Sequence, residues 1–289
     1  MQPSIPNAPN NATYKYTHSR TLYTMTQLEH LQAVLLDMAK YIDELCRKNG
    51  IEYHLNGGTA IGAIRHHGFI PWDDDFDIEM TPSNYYRFIE VCRTQLDTNK
   101  YYLQVGPSEA WPMDTSKLRL LNTHIEEPGA YADTEEHKGI FIDIFRIDHA
   151  APTKWGRIWQ YVCAKYIICY QIRKRPHEDA SLAKKILIAL SFPQRWSVVR
   201  KFLLHQQTRY NNRPTEHYGL FTQKTRYPHC IIRREAITPK TYVSFEDTTL
   251  PMPVRYDEYL RTVFGNYMQL PPIEKQCCQH MQEIDFGPY

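Results

Sequence analysis

An α/β (α+β) protein, a mixed sheet flanked by helices with a helical middle segment, is predicted by three observations. Period-two alternation near Ile51, Asp73, Tyr101, Lys117 and Gly139 marks short strands, with helix-period stripes between several of them. Residues 139–145, GIFIDIF, form an apolar run typical of a central strand. Residues 151–240 carry long helical stripes studded with Lys and Arg.

The elements follow in chain order. Residues 1–24, rich in Pro, Asn, Thr and Tyr, read as an irregular arm or a loop on the body. Thr26-Gln27-Leu28-Glu29 has the form of a capping box. Leu28, Leu31, Val34, Leu35, Met38, Ile42 and Leu45 then recur at helical spacing, and Gly50 suits the stop. Residues 51–55 read as a strand with Ile51, Tyr53 and Leu55 on one face. A glycine turn, a short helix through Arg65 and a His66-His67-Gly68 turn follow. The spacing then predicts a strand over 73–80, a helix over 83–96 and strands over 101–105, 117–121 and 139–145. Helices are expected over 155–172 and 181–205, with Pro193 interrupting the second, and over 256–264, where Gly265 suits the end. The organisation is read as an arm (1–24), a catalytic core (25–150), a helical segment suited to acceptor or membrane contact (151–240) and a C-terminal brace (241–289).

With 289 residues the chain can bury a sizeable core in one large or two modest domains. Its 34 Lys and Arg nearly balance 32 Asp and Glu, a net charge of +2, so bulk charge suggests no nucleic-acid partner. Seven cysteines without a C-x-x-C pair argue for reduced thiols in a cytoplasm. No apolar signal core stands at the N-terminus, and no run reaches the roughly 18 apolar residues of a membrane span. The expected location is cytoplasmic, with peripheral contact at the inner face of the membrane.

The chemistry concentrates in residues 53–80, YHLNGGTAIGAIRHHGFIPWDDDFDIEM. On a strand, Asp73, Asp75, Asp77 and Glu79 fall on one face and Phe76, Ile78 and Met80 on the other. Neighbouring carboxylates repel one another, and a divalent cation removes the repulsion. Mg²⁺ takes a few carboxylates together with substrate phosphate oxygens. Gly57-Gly58-Thr59, before a helix, lets backbone approach a phosphate at a helix N-terminus. Arg65, between the glycines and the carboxylates, is suited either to phosphate binding or to a structural ion pair. Lys117 and Arg119 share one strand face, which requires an anion nearby or a solvated edge. A lone Asp143 in an apolar strand is costly unless paired or metal-bound, which makes it a candidate third carboxylate. A phosphate cradle leading into an Asp-x-Asp strand is the layout of a nucleotidyltransferase-type site.

GGTAIGAIRHHGFIPWDDDFDI resembles the core motif of the LicD family, bacterial phosphocholine transferases related to fukutin and fukutin-related protein and similar to the nucleotidyltransferase superfamily. KLRLLNT resembles the family's K-x-R-x-x-x-T segment. FIDIFRID resembles I-D-I-F-P-L-D, with Arg146 where proline is usual. VSFEDTTLPMPVRYDEYLRTVFGNYMQLPPIEK resembles the closing motif, with Phe264 in place of a tyrosine and Asn266 in place of an aspartate. Outside the middle segment the resemblance covers most of residues 26–276. It implies a nucleotidyltransferase-like fold and a Mg²⁺-dependent enzyme, with Mn²⁺ able to replace the ion. The donor would be CDP-choline, and phosphocholine would pass to a hydroxyl of a glycan or lipid-linked glycan. In that reading Asp75 and Asp77 hold the metal, Asp143 completes the site or takes the acceptor proton, Gly57, Gly58 and Thr59 bind donor phosphate, and Lys117 and Arg119 lie near the diphosphate. Other CDP-alcohol donors (CDP-ribitol, CDP-glycerol) and nucleotidyl transfer stay open. A non-catalytic nucleotide-binding protein also stays open, although the intact Asp75, Asp77 and Asp143 argue against it.

Overall fold

The computed structural model describes residues 14–18, 21–108, 113–126, 137–173, 182–223, 225–278 and 283–289. Its centre is a five-stranded mixed sheet of β1 (His54–Leu55), β2 (Asp77–Met80), β3 (Tyr101–Gln104), β4 (Ser116–Leu120) and β5 (Phe141–Arg146). The spatial order is β1-β2-β5-β4-β3. Only β2 and β5 run parallel; the other neighbours are antiparallel. The apolar run of residues 139–145 thus supplies the middle strand, where Ile142 and Ile144 are fully buried.

Helix α1 (Gln27–Lys48) starts at the expected capping box: Thr26 Oγ1 accepts from the Glu29 N–H, and Glu29 Oε2 accepts from the Thr26 N–H. Its apolar stripe packs on the sheet beside β5. Helix α2 (Gly57–Arg65) begins at the first glycine itself, so the predicted glycine turn is the helix's opening turn. Helix α3 (Pro82–Gln95) starts one residue earlier than predicted, with Pro82 at its first position, where the missing N–H costs nothing.

Beyond the sheet, β6 (Asp148–His149) leads into α4 (Lys154–Arg173), α5 (Leu182–Leu190) and α6 (Ser197–Thr208). The helical stretch predicted over 181–205 is interrupted at Pro193 as expected: a 3₁₀ turn at Phe192–Arg195 separates α5 from α6. Beyond the two predicted helical stretches, the middle segment also holds β7 (His217–Gly219) and β8 (Ile231–Arg233), which form a small sheet with β6, and then the short helix α7 (Arg234–Ile237). A hairpin of β9 (Lys240–Phe245) and β10 (Thr248–Pro253) precedes α8 (Tyr256–Phe264), which has the predicted bounds. The arm is more regular than expected: Tyr14–His18 and Thr21–Met25 pair as an antiparallel hairpin. All seven cysteines are free thiols. No helix among the described residues is long and apolar enough to cross a membrane.

Arg146 joins the sheet to the helical layer. Buried at the end of β5, its guanidinium meets Asp148 at 2.7 Å and Asp114 at 3.1 Å. From α6, Gln207 donates to both carboxylates at 2.8 Å, and Asn211 donates to Asp148 at 2.7 Å. A proline here could not supply this charge, and removing the guanidinium leaves two buried carboxylates uncompensated. Arg146→Ala is expected to lower stability by about 3–5 kcal/mol, read from the urea midpoint of unfolding.

Candidate active site

The carboxylate-bearing stretch is half strand and half loop. Alternation was expected from Asp73, but pairing with β1 begins only at the Leu55–Ile78 register, and residues 73–76 lie outside the strand. Two anchors replace the ladder. Gln32 of α1 donates to the carbonyls of Ile70 (3.3 Å) and Asp73 (2.9 Å). The Phe76 carbonyl accepts from the Asp143 N–H at 3.0 Å. The carboxylates of Asp73 and Asp77 lean on the N-terminus of α2. A Cβ on Gly57 would collide with the Asp77 carboxylate, and one on Gly58 with that of Asp73; Gly57 also has φ +58°, the left-handed region. The space left by the missing side chains is therefore occupied by carboxylates, whose charge the helix N-terminus favours. Thr59 is buried, and its hydroxyl accepts from the Asp77 N–H at 2.9 Å, fixing α2 against the first residue of β2.

Strand register assembles the rest. Asp77 lies opposite Asp143 in the parallel pair β2–β5. Asp143 lies opposite Lys117 in the antiparallel pair β5–β4, and Lys117 opposite Gln104 of β3. Directly paired residues point to the same face of a sheet, so two carboxylates and an ammonium stand in one row. Lys117 Nζ is 3.3 Å from Asp143 Oδ1 and sits over the Phe141 ring. The sequence left a solvated edge open for Lys117 and Arg119, but β4 is an interior strand and both side chains are almost wholly buried. Arg119 bonds to Gln104 Oε1 (2.8 Å) and the Gly139 carbonyl (3.0 Å), which holds β3, β4 and the approach to β5 together. Arg65, at the far end of α2, donates to the Tyr267 carbonyl at 2.9 Å; burial lowers its pKa, and the charge of Asp73 opposes that shift.

Burial holds the Asp77 carboxyl well above its usual range, and the charges of Asp75, Asp143 and Asp73 push it further the same way while Lys117 opposes them. This oxygen-rich set fits a hard divalent cation, which would remove the repulsion. Among the described residues no group of three or more His, Cys, Asp or Glu side chains is placed to hold a metal ion. Two carboxylates with the remaining positions left to phosphate oxygens is a donor set Mg²⁺ accepts.

A second polar cluster lies one step along β2 and was missed by the sequence reading. Glu79 is fully buried and accepts from His54 Nε2 (2.7 Å), the Tyr259 hydroxyl (2.8 Å) and Gln223 Nε2 (2.8 Å). Because Glu79 takes the Nε2 proton, His54 Nδ1 is free to accept from Lys240 Nζ at 2.6 Å. Burial pushes Lys240 down to about 7 and His54 down to about 4. The alternation showed Glu79 on the carboxylate face, but its partners lie 25, 144 and 180 residues away. The unfolded chain keeps Lys240 near its ordinary 10.5, so between about 7 and 10.5 it binds more protons than the folded protein, and stability rises with pH across that window. Lys240→Met is expected to remove this slope, seen by comparing urea midpoints of the two proteins from neutral to alkaline pH.

Residues 50–168 match the LicD/FKTN/FKRP nucleotidyltransferase domain. Over 272 residues the chain is 30% identical to the lipopolysaccharide cholinephosphotransferase LicD of Haemophilus influenzae, an alignment covering 89% of this chain and 97% of that protein. An uncharacterized protein of Rickettsia typhi is 40% identical over 78 residues, 25% of each chain. One of Rickettsia prowazekii is 50% identical over 44 residues, 15% of this chain and 16% of that protein. The matched domain contains the glycine pair, the carboxylate row and Lys117, and the Haemophilus relative is covered almost end to end: the chain belongs to the LicD family of phosphotransferases.

Proposed function

We propose that this protein transfers phosphocholine from CDP-choline to a sugar hydroxyl of a lipopolysaccharide or related cell-surface glycan, with Mg²⁺ as cofactor and Mn²⁺ as a substitute. The observation that carries the reading is the row Asp77–Asp143–Lys117 set across three adjacent strands, with the charge of Asp75 acting on Asp77. The named activity of the Haemophilus relative supports the transferred group and the acceptor class. An acceptor oxygen attacks the phosphorus that bears choline, the bond to the CMP phosphate breaks, and CMP leaves with the electron pair. Asp75 and Asp77 would hold the cation, which offsets charge on the donor diphosphate when bound. The first turn of α2, at Gly57 and Gly58, faces an anion with its dipole, and Thr59 holds that turn to Asp77. Lys117 adds positive charge next to Asp143, where the leaving phosphate gains negative charge. Arg119 keeps the strand bearing Lys117 in place, and Arg65 contributes charge on the Asp73 side.

Calorimetric titration with CDP-choline, CDP-ribitol, CDP-glycerol and CMP, each with Mg²⁺ and with EDTA, tests the donor. Metal-dependent binding of CDP-choline well above CMP is expected. Tighter binding of another CDP-alcohol would keep the chemistry and change the donor, and no metal-dependent binding would overturn the reading.

Asp75→Asn and Asp77→Asn are each expected to lower turnover at least about a hundredfold. Asp77→Asn should also raise the urea midpoint of the metal-free protein. The folded pKa of Asp77 is held above the unfolded value by burial and then by its acidic neighbours, so stability is lost as pH rises from the unfolded pKa through the folded one. The two roles left for Asp143 separate in Asp143→Asn. A third oxygen ligand predicts weaker metal affinity. A base for the acceptor hydroxyl predicts unchanged metal affinity and loss of the acidic limb of the pH–rate profile.

A further inference from the structure

We propose that the outward face of α4, the Phe192–Arg195 turn and α6 docks on an anionic phospholipid bilayer, with the protein lying on the membrane and not crossing it. Charge is segregated along the chain. Residues 151–213 hold 13 Lys and Arg against 2 Asp and Glu, a net +11, while the remaining residues hold 21 against 30, a net −9. The near-neutral total conceals this division.

The same segment exposes large apolar side chains. Nine of the sixteen exposed large hydrophobic residues among those described fall between residues 155 and 202. On α4, Trp155 and Trp159 are 79% and 49% exposed, one turn apart, whereas Gln160, Cys163 and Ala164 face inward. On α6, Val198 and Phe202 face out, at 75% and 53%, whereas Leu203 and Gln207 are buried. The Trp159 indole N–H donates to Gln206 Oε1 at 3.2 Å, which sets the two exposed stripes side by side. Phe192 and Trp196 extend the patch, with the Arg195 guanidinium over both rings at 4.8 and 5.5 Å.

A solvated helical layer has no need of exposed tryptophan. Trp and Phe interleaved with Arg and Lys is the composition of a surface that inserts rings at the headgroup level and places cations on lipid phosphates. Two copies pairing through this face would bring two strongly positive surfaces together, so charge complementarity selects an anionic occupant. The proposal does not depend on the identity of the donor or the reaction.

The test is co-sedimentation of the full chain with vesicles of phosphatidylcholine alone and of phosphatidylcholine mixed with phosphatidylglycerol, at low and high salt. Binding should be at least about tenfold tighter to the anionic vesicles and weaken with salt. Trp155→Ala with Trp196→Ala, and separately Arg195→Glu with Lys201→Glu, should each weaken it by about tenfold or more, with thermal midpoints unchanged. Equal binding to neutral vesicles, no sedimentation, folded variants that bind as well as the parent, concentration-dependent dimerisation that protects these tryptophans, or tighter binding of single-stranded RNA than of the vesicles would each overturn it.

Discussion

The parallel pairing of β2 with β5 places two carboxylates, Asp77 and Asp143, in adjacent positions on one face of the central sheet. Like charges there repel more strongly than on an open surface, because little water screens them. Much of the surrounding structure answers that constraint. Lys117 stands on the far side of Asp143, the N-terminus of α2 points its dipole at Asp73 and Asp77, and two glycines leave room for those carboxylates to approach. Burial first, and the charges of Asp75, Asp143 and Asp73 after it, hold the Asp77 carboxyl above its usual range, with Lys117 opposing them.

The fold was legible where local chemistry agrees with tertiary need. The Thr26–Glu29 box marked the start of α1, the run at residues 139–145 marked the middle strand, and Asp143 stood out as an acid among apolar neighbours. Legibility failed where a long-range contact replaced a local pattern. Residues 73–76 alternate like a strand, yet Gln32, about forty positions earlier, holds their backbone in a loop. Glu79 looked like one more carboxylate of the ladder, and only the return of Lys240 and Tyr259 from the C-terminal region turns it into a buried hub. The role of Arg119 was likewise obscured, since Gln104 and the Gly139 carbonyl are its partners only after the sheet has formed.

The helical layer and the sheet divide their tasks. The sheet gathers acidic groups at one place, and the helical segment carries most of the surplus positive charge. Arg146 is the junction between them: a cation at the end of the middle strand holds Asp114, Asp148 and, through these, α6. The departure from proline at this position thus has a structural counterpart, a charged joint in place of a rigid turn.

The Glu79 cluster bears on how far the nucleotidyltransferase domain is a self-sufficient unit. The domain match ends at residue 168, yet Gln223, Lys240 and Tyr259 come from beyond it, and Gln32, which fixes the carboxylate loop, comes from before it. A fragment of residues 50–168 would keep Asp75, Asp77 and Asp143 but leave Glu79 in the interior with His54 as its remaining described partner. Sequence recombination that exchanges only this central module between relatives would therefore break a buried network that has no local replacement. The catalytic module and its C-terminal brace are expected to be inherited together.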